Sequence, residues 1–298
     1  MAWVRLDIPC DPDASDVVAA LVLAETGRGA SVVEGEDGVV VQAWIPENWQ
    51  PDLGERLKQR LHAAGPPFSD AARRARPTLV PDEDWSLGWR RHFTPFRVGE
   101  RLVVKPSWES WPPEGHAELA RPDDLIVEID PGEAFGTGTH ASTQLALRAL
   151  EATVGPGMSV VDVGCGSGIL SLAALLLGAD RVTAIDFDPS AARSTRRNLR
   201  EQGLEARAGV LIGDGLAPLR GQADLIVANI TADGVIAVGL QAWERLRPGG
   251  RYIVSGFLET SVPRVGRTLR RLGLEATGGD HLEGWASLTL VRGKERPR

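Results

Sequence analysis

The sequence predicts an α/β protein: a Rossmann-like, mostly parallel, doubly wound sheet over residues 101–298, preceded by a small α+β domain over residues 1–81. Three observations predict it. Short apolar runs such as SVVDVG, RVTAID and DLIVANI alternate with segments of helical period. A glycine-rich turn, DVGCGSG at Asp162–Gly168, closes one such run and opens a helix, as nucleotide-binding turns do. The first 80 or so residues read instead as strand, helix, strand, strand, helix, strand, a ferredoxin-like order.

Val4, Leu6 and Ile8 alternate with Arg5 and Asp7, as in a half-buried strand. Ser15 opens SDVVAALVLAETG, a short apolar helix stopped by Gly27. Ala30–Glu34 and Gly38–Ile45 read as two strands around the turn EGEDG. Leu53, Leu57 and Leu61 recur at helical spacing, and Gly65-Pro66-Pro67 is expected to end that helix. Arg74–Val80 reads as the last strand of the domain. Asp82–Phe96, DEDWSLGWRRHFTPF, then sets Trp85, Trp89 and Phe93 on one face of a short helix. That face either packs on one domain or serves as a hinge touching both, and residues 82–100 are expected to form an interdomain linker. Beyond it, LVVKPSW and LIVEID read as strands and THASTQLALRALEATV as a helix. ILSLAALLLGA and PSAARSTRRNLREQG are the helices that follow SVVDVG and RVTAID. A helix running to RLRPGG separates DLIVANI from the strand YIVSGFL.

Composition bounds the function. No apolar run is long enough to span a bilayer, and MAWVRLDIPC has no signal-peptide core, so a cytoplasmic protein is expected. Cys10 and Cys165 offer neither a disulfide framework nor metal-ligand spacing, and no metal is expected. Residues 1–84 hold 8 Lys and Arg against 15 Asp and Glu, so they carry all of the formal charge of −7. Such a surface repels nucleic acid and attracts basic partners. No association surface is evident, and a monomer is expected.

Two glycine-rich loops stand close together, DPGEAFGTGTH at Asp130–His140 and DVGCGSG. The first lacks the Gly-Lys-Ser/Thr of a phosphate loop. In the second, Gly164 permits the tight turn, and Gly166 and Gly168 let a ligand approach the backbone. Ile169 stands where a dinucleotide fingerprint needs its third glycine. Asp162 would repel a pyrophosphate but suits a ligand carrying ammonium and sulfonium groups. Asp186, 22 residues after Gly164, ends the next strand, where a carboxylate accepts hydrogen bonds from ribose hydroxyls. A ligand with a ribose, an ammonium, a sulfonium and no phosphate is S-adenosylmethionine. Asn229, near the carboxyl end of DLIVANI, lies beside the same crevice and orients either an amine or the cofactor, or simply caps the strand. It lacks the two prolines of the Asp/Asn-Pro-Pro-aromatic motif of amino-methyltransferases. Asp188 and Asp214 are either adenosine-pocket residues or solvated loop acids.

DPGEAFGTGTH, VVDVGCGSGILSLAAL, AIDFDPSA and VANI, with the joint segment from Asp84 to Trp108 and the ending EGWASLTLVR, resemble the PrmA family, methyltransferases of ribosomal protein L-eleven. The resemblance is close over residues 82–292 and extends to the amino domain only in pattern. It implies a class I methyltransferase fold, S-adenosylmethionine as cofactor, and ribosomal protein L-eleven as the substrate, methylated several times on lysine and amino-terminal amines. It implies that the first glycine loop is a lid over the cofactor, contributed from the leading edge of the sheet. Thr143, Gly164, Asp186 and Asn229 correspond to the family's cofactor-contacting threonine, glycine, ribose-binding acid and asparagine. Two departures stand out: His140-Ala141-Ser142-Thr143 replaces His-Pro-Thr-Thr, and Thr231-Ala232-Asp233-Gly234 replaces Leu-Ala-Gly-Pro. His140 is a candidate base or a loop-ordering residue; solvent is the expected proton acceptor and Asn229 the residue that orients the amine. A non-ribosomal protein target, or an RNA or small-molecule substrate, are the competing readings.

Overall fold

The computed structural model describes residues 3–11, 14–26, 30–35, 38–46, 53–80, 93–130 and 137–294. The chain forms two compact units, Met1–His92 and Phe93–Arg298.

In the first unit, β1 (Trp3–Cys10), β2 (Ser31–Gly35), β3 (Gly38–Pro46) and β4 (Arg76–Val80) form one sheet in the order β2-β3-β1-β4, with every neighbouring pair antiparallel. The helices are α1 (Ser15–Thr26), α2 (Leu53–Ala63) and α3 (Pro66–Arg74). Alternation puts Leu6, Ile8 and Cys10 of β1 into a core shared with Val18 and Val22 of α1 and Leu53, Leu57 and Leu61 of α2. This is the expected ferredoxin-like order with one addition, α3. Gly65-Pro66-Pro67 does not merely end a helix. Gly65 takes a positive φ of 111°, and the prolines fill the first turn of α3, where a missing N–H leaves no bond unmade. The aromatic segment at residues 81–92, with Trp85 and Trp89, lies outside the described residues. Phe93 is buried with its ring edge-on to Trp108 at 6.1 Å, and residues 96–98 are already a strand of the second unit.

The second unit contains two sheets. β5 (Phe96–Val98), β6 (Leu102–Pro106) and β7 (Leu125–Ile129) form a three-stranded sheet of their own. LVVKPSW and LIVEID were expected within the doubly wound sheet; they form this separate one. Between them the chain has only a single 3₁₀ turn at Ala117–Leu119, so it has no crossover helix to lay them on the main sheet. Glu151 of α4 (Ala141–Thr153) holds the small sheet down by accepting the backbone N–H groups of Glu100, Arg101 and Leu102 at 2.7, 2.7 and 3.1 Å.

The main sheet has seven strands: β8 (Ser159–Val163), β9 (Arg181–Asp186), β10 (Ala208–Ile212), β11 (Ala223–Asn229), β12 (Leu246–Leu258), β13 (Leu274–Leu282) and β14 (Trp285–Arg292). Their order is β10-β9-β8-β11-β12-β14-β13. The first five run parallel, and β14 is antiparallel to both of its neighbours. Helices α5 (Ile169–Leu176), α6 (Pro189–Glu201), α7 (Ala232–Arg245) and α8 (Val262–Arg271) complete the layers. Val161, Val163, Ile226, Ala228, Tyr252 and Val254 bury one face of the sheet against Val235, Val238 and Leu269 of α7 and α8. Strand order reverses between β8 and β11, so a ligand crevice is expected at their carboxyl ends. Among the described residues no helix is long and apolar enough to cross a membrane.

Candidate functional site

Four of the residues singled out in the sequence meet at this reversal. Gly164 follows β8 with a φ of 73°, and a Cβ there would lie 2.5 Å from Ile230, so glycine alone fits beside the end of β11. Gly164 and Cys165 both direct their N–H groups at the Ile185 carbonyl, at 2.8 and 3.2 Å, which fixes the turn against β9. Asp186, at the end of β9 and 7% exposed, accepts the Gly166 N–H and the Asp188 N–H, both at 3.0 Å. Both of its oxygens are thereby oriented, and each keeps a lone pair for a further donor.

Asn229 ends β11. Its Nδ2 donates to Thr143 Oγ1 at 3.1 Å across 86 positions of sequence. Thr143 lies in the first turn of α4 and is 1% exposed. Because the amide nitrogen is committed to Thr143, the amide oxygen faces the other way. That Oδ1 is buried and has no partner among the described residues. A buried acceptor left in this state is costly unless a ligand completes it.

Asp162 is wholly buried. Ser171 of α5 donates to its Oδ2 at 2.7 Å, while its Oδ1 has no partner among the described residues. Burial pushes its carboxyl up to about 7; the Ser171 hydrogen bond opposes the rise, and the nearby Asp186 charge adds to it. A carboxyl raised in the folded state gives stability that is full below its ordinary range and is lost as pH rises through about 7. The melting temperature of the ligand-free protein is therefore expected to fall between about pH 4 and about pH 7. Asp162→Asn should flatten that part of the profile in a calorimetric scan; an unchanged slope would assign the titration to another group.

The two glycine loops touch. Gly138, near the end of the first, has a φ of 87°, and a Cβ there would lie 2.7 Å from Ile169, the residue that opens α5. Asp130 starts that loop from the end of β7, so the loop leaves the small sheet and not the leading edge of the main one. Residues 131–136, which include Phe135, lie outside the described residues. His140 caps α4: its Nδ1 accepts the Ser142 N–H at 3.3 Å and lies 2.8 Å from Ser142 Oγ. Its ring meets Trp285 edge-on with centroids 4.5 Å apart.

Asp188 is a helix cap, accepting the Ser190 N–H at 2.7 Å, and is exposed. Its carboxyl is held below the usual range by the Ser190 hydroxyl and N–H. Asp214 accepts the Ala217 N–H through its backbone carbonyl and takes no further part in the described site. Phe187 was missed in the sequence reading. It is a large apolar residue, 79% exposed, immediately after Asp186. The signal was legible: a large apolar residue directly behind an acid at a strand end.

The family of ribosomal protein L11 methyltransferases (PrmA) matches residues 2–293. The chain belongs to the PrmA family. It is 37% identical to the ribosomal protein L11 methyltransferase of Pelotomaculum thermopropionicum, over 97% of this chain and 98% of that protein. To that of Symbiobacterium thermophilum it is 36% identical over 98% and 100%. The crystal structure of the ribosomal protein L11 methylase of Lactobacillus delbrueckii subsp. bulgaricus superposes with a TM-score of 0.62 at 30% identity, covering 67% of this chain and all of that one. As a PrmA-family methyltransferase the chain has a class I fold, and the Rossmann-like sheet matches that expectation. The departure at Thr231–Gly234 has a local cause: Thr231 caps α7 by accepting the Gly234 N–H at 3.2 Å, and Asp233 pairs with Arg264 at 2.6 Å. The departure after His140 leaves Thr143 in place, since the histidine ring itself caps the helix.

The class implies S-adenosylmethionine as methyl donor, and the residues present fit it. A buried oxygen of Asp162 without a described partner suits positive charge; Asp186 presents an oriented carboxylate; and the turn at Gly164 has no room for a side chain.

Proposed function

We propose that this chain transfers methyl groups from S-adenosylmethionine to amines of ribosomal protein L11. The observation that carries the reading is the Asn229 amide, turned by Thr143 so that its buried oxygen stands without a described partner at the carboxyl end of β11. An amine nucleophile brings the N–H that this acceptor lacks.

When bound, S-adenosylmethionine supplies a methyl group already activated by a positive sulfur. The protein then has to align groups and exclude water. Asp186 would accept the ribose hydroxyls, Gly164 and Gly166 would let the backbone come close, and the positive charge of the bound cofactor would favour the ionised form of Asp162 behind the turn. Thr143 fixes Asn229, and Asn229 Oδ1 would take one N–H of the amine and so orient it. A lysine has a reference pKa of about 10.4, so a proton must leave before attack, and desolvation in the crevice assists its loss to solvent. His140 orders the start of α4. With Nδ1 accepting from Ser142, a neutral ring carries its proton on Nε2, which leaves no ring lone pair for abstraction. Lysine side chains and the amino-terminal amine of the substrate are the proposed acceptors, each methylated more than once, as the family resemblance implies.

The acidic first unit is the proposed grip on the basic substrate protein. The enzyme acts as a monomer in the cytoplasm, without nucleic acid. Labelled methyl transfer to purified L11, read by mass spectrometry, tests the reading. Mass gains in multiples of one methyl are expected, and KM for L11 should rise with salt far more than KM for the cofactor. Cofactor binding without transfer to L11 would overturn the substrate; salt-independent KM would overturn the electrostatic grip.

A further inference from the structure

Three side chains of helix α6 make polar contacts that neither stabilise the helix nor join a sheet. Thr195 Oγ1 donates to the Gly166 carbonyl at 2.9 Å. Asn198 Nδ2 donates to the Ser167 carbonyl at 2.8 Å, and Asn198 Oδ1 accepts the Asp130 N–H at 3.2 Å. Arg197 donates to the Asp130 carbonyl at 2.7 Å and lies 3.6 Å from its carboxylate. Asn198 is 1% exposed, in the third turn of a helix, where asparagine is a weak helix former.

A buried asparagine that satisfies two backbone groups is often only structural. Here both groups belong to glycine loops, one at the root of DPGEAFGTGTH and one inside DVGCGSG, and Gly138 of the first loop also lies close to Ile169, which opens α5. Only a primary amide both donates and accepts at this spacing. Aspartate keeps the acceptor and loses the donor; alanine loses both. Helix α6 also starts directly behind Asp186 and Asp188, so the same rigid element fixes the ribose-side acid and the distance between the two loops.

We propose that Asn198, supported by Arg197, is a positioning residue that sets the spacing between Asp130 at the end of β7 and the DVGCGSG turn, and thereby the affinity for the cofactor. The inference rests on the proposed binding of S-adenosylmethionine at this turn. Asn198 touches neither reacting group, so its effect falls on cofactor binding and leaves binding of the protein substrate alone.

The test uses the full chain, with S-adenosylmethionine titrated calorimetrically and turnover of L11 measured for wild type, Asn198→Ala, Asn198→Asp and Arg197→Met. Both Asn198 variants should raise the cofactor Kd and KM by about tenfold, with KM for L11 within about twofold of wild type. Arg197→Met, whose side chain is 40% exposed and whose loss leaves the core intact, should move the cofactor Kd the same way by about threefold. Asn198 variants that melt lower but bind the cofactor with wild-type Kd would reduce the residue to a structural role and overturn the inference. If they fail to fold, Arg197→Met decides, and an unchanged Kd there overturns it. Wild type that does not bind S-adenosylmethionine would sink the cofactor reading and this inference together, whereas binding by wild type with equal binding by the variants sinks only the inference.

Discussion

Asp186→Ala is expected to leave a folded protein whose cofactor Kd is weakened by about a hundredfold or more. Hydrogen bonds to an ionised acceptor contribute about 1.5–3 kcal/mol each, and two ribose hydroxyls bonded to this carboxylate would together account for a factor between about 10² and 10⁴. The carboxylate also orders the turn through Gly166 N–H and Asp188 N–H. Both backbone groups lie near the surface, where water replaces part of what is lost, so the melting temperature should fall by only about 5 °C. Asp186→Asn separates these contributions. An asparagine oxygen still accepts one bond, but the charge is gone, so an intermediate loss of about tenfold is expected. Calorimetric titration of both variants, with L11 turnover at saturating cofactor alongside, reads the result. Binding of the alanine variant within threefold of wild type would remove Asp186 from the ribose site.

The residues around Asp186 were legible in the sequence because chemistry and local structure coincide there. A buried parallel strand reads as an unbroken apolar run, and VVDVGCGSG and RVTAID are such runs ending in a turn that only glycine can make. The partnership of Thr143 with Asn229 was not legible, since it joins the first turn of α4 to the end of β11 across most of the domain. Nor was the role of Asn198, one polar residue among several in a charged helix, whose burial depends on a loop that begins 68 positions earlier. The strand β13 escaped for a different reason. Leu282 is half-buried and the rest of LEATGGDHL beyond Leu274 is exposed, so the segment carries no hydrophobic alternation to read. β6 and β7 were visible as strands but not as a separate sheet, because their membership depends on what their connection lacks. The prolines after Gly65 illustrate the ambiguity of a local signal: the same residues that stop one helix start the next.

Asn229→Ala is expected to lower kcat for L11 methylation by about a hundredfold while changing the cofactor Kd by less than about threefold. The split follows from the geometry. The buried Oδ1 that lacks a described partner faces away from Thr143, and an acceptor at that place serves a donor arriving with the substrate. Losing it leaves the amine free to rotate, and alignment is what the reaction demands of the protein. Thr143→Val provides an independent check, because it removes the oxygen that holds the amide without touching the amide itself. The released Asn229 can then flip and present its NH₂ group to the amine, so a loss of about tenfold in kcat is expected with little loss of stability. Asn229→Asp makes a sharper demand. A carboxylate still accepts the N–H, but its charge favours the ammonium form of the lysine, so the pH dependence of kcat should move to higher pH than in wild type. An orienting role requires all three outcomes together. Full turnover in Asn229→Ala would end it, and an Asn229→Asp profile that does not move would mean that the amine never lies within hydrogen-bonding reach of this side chain.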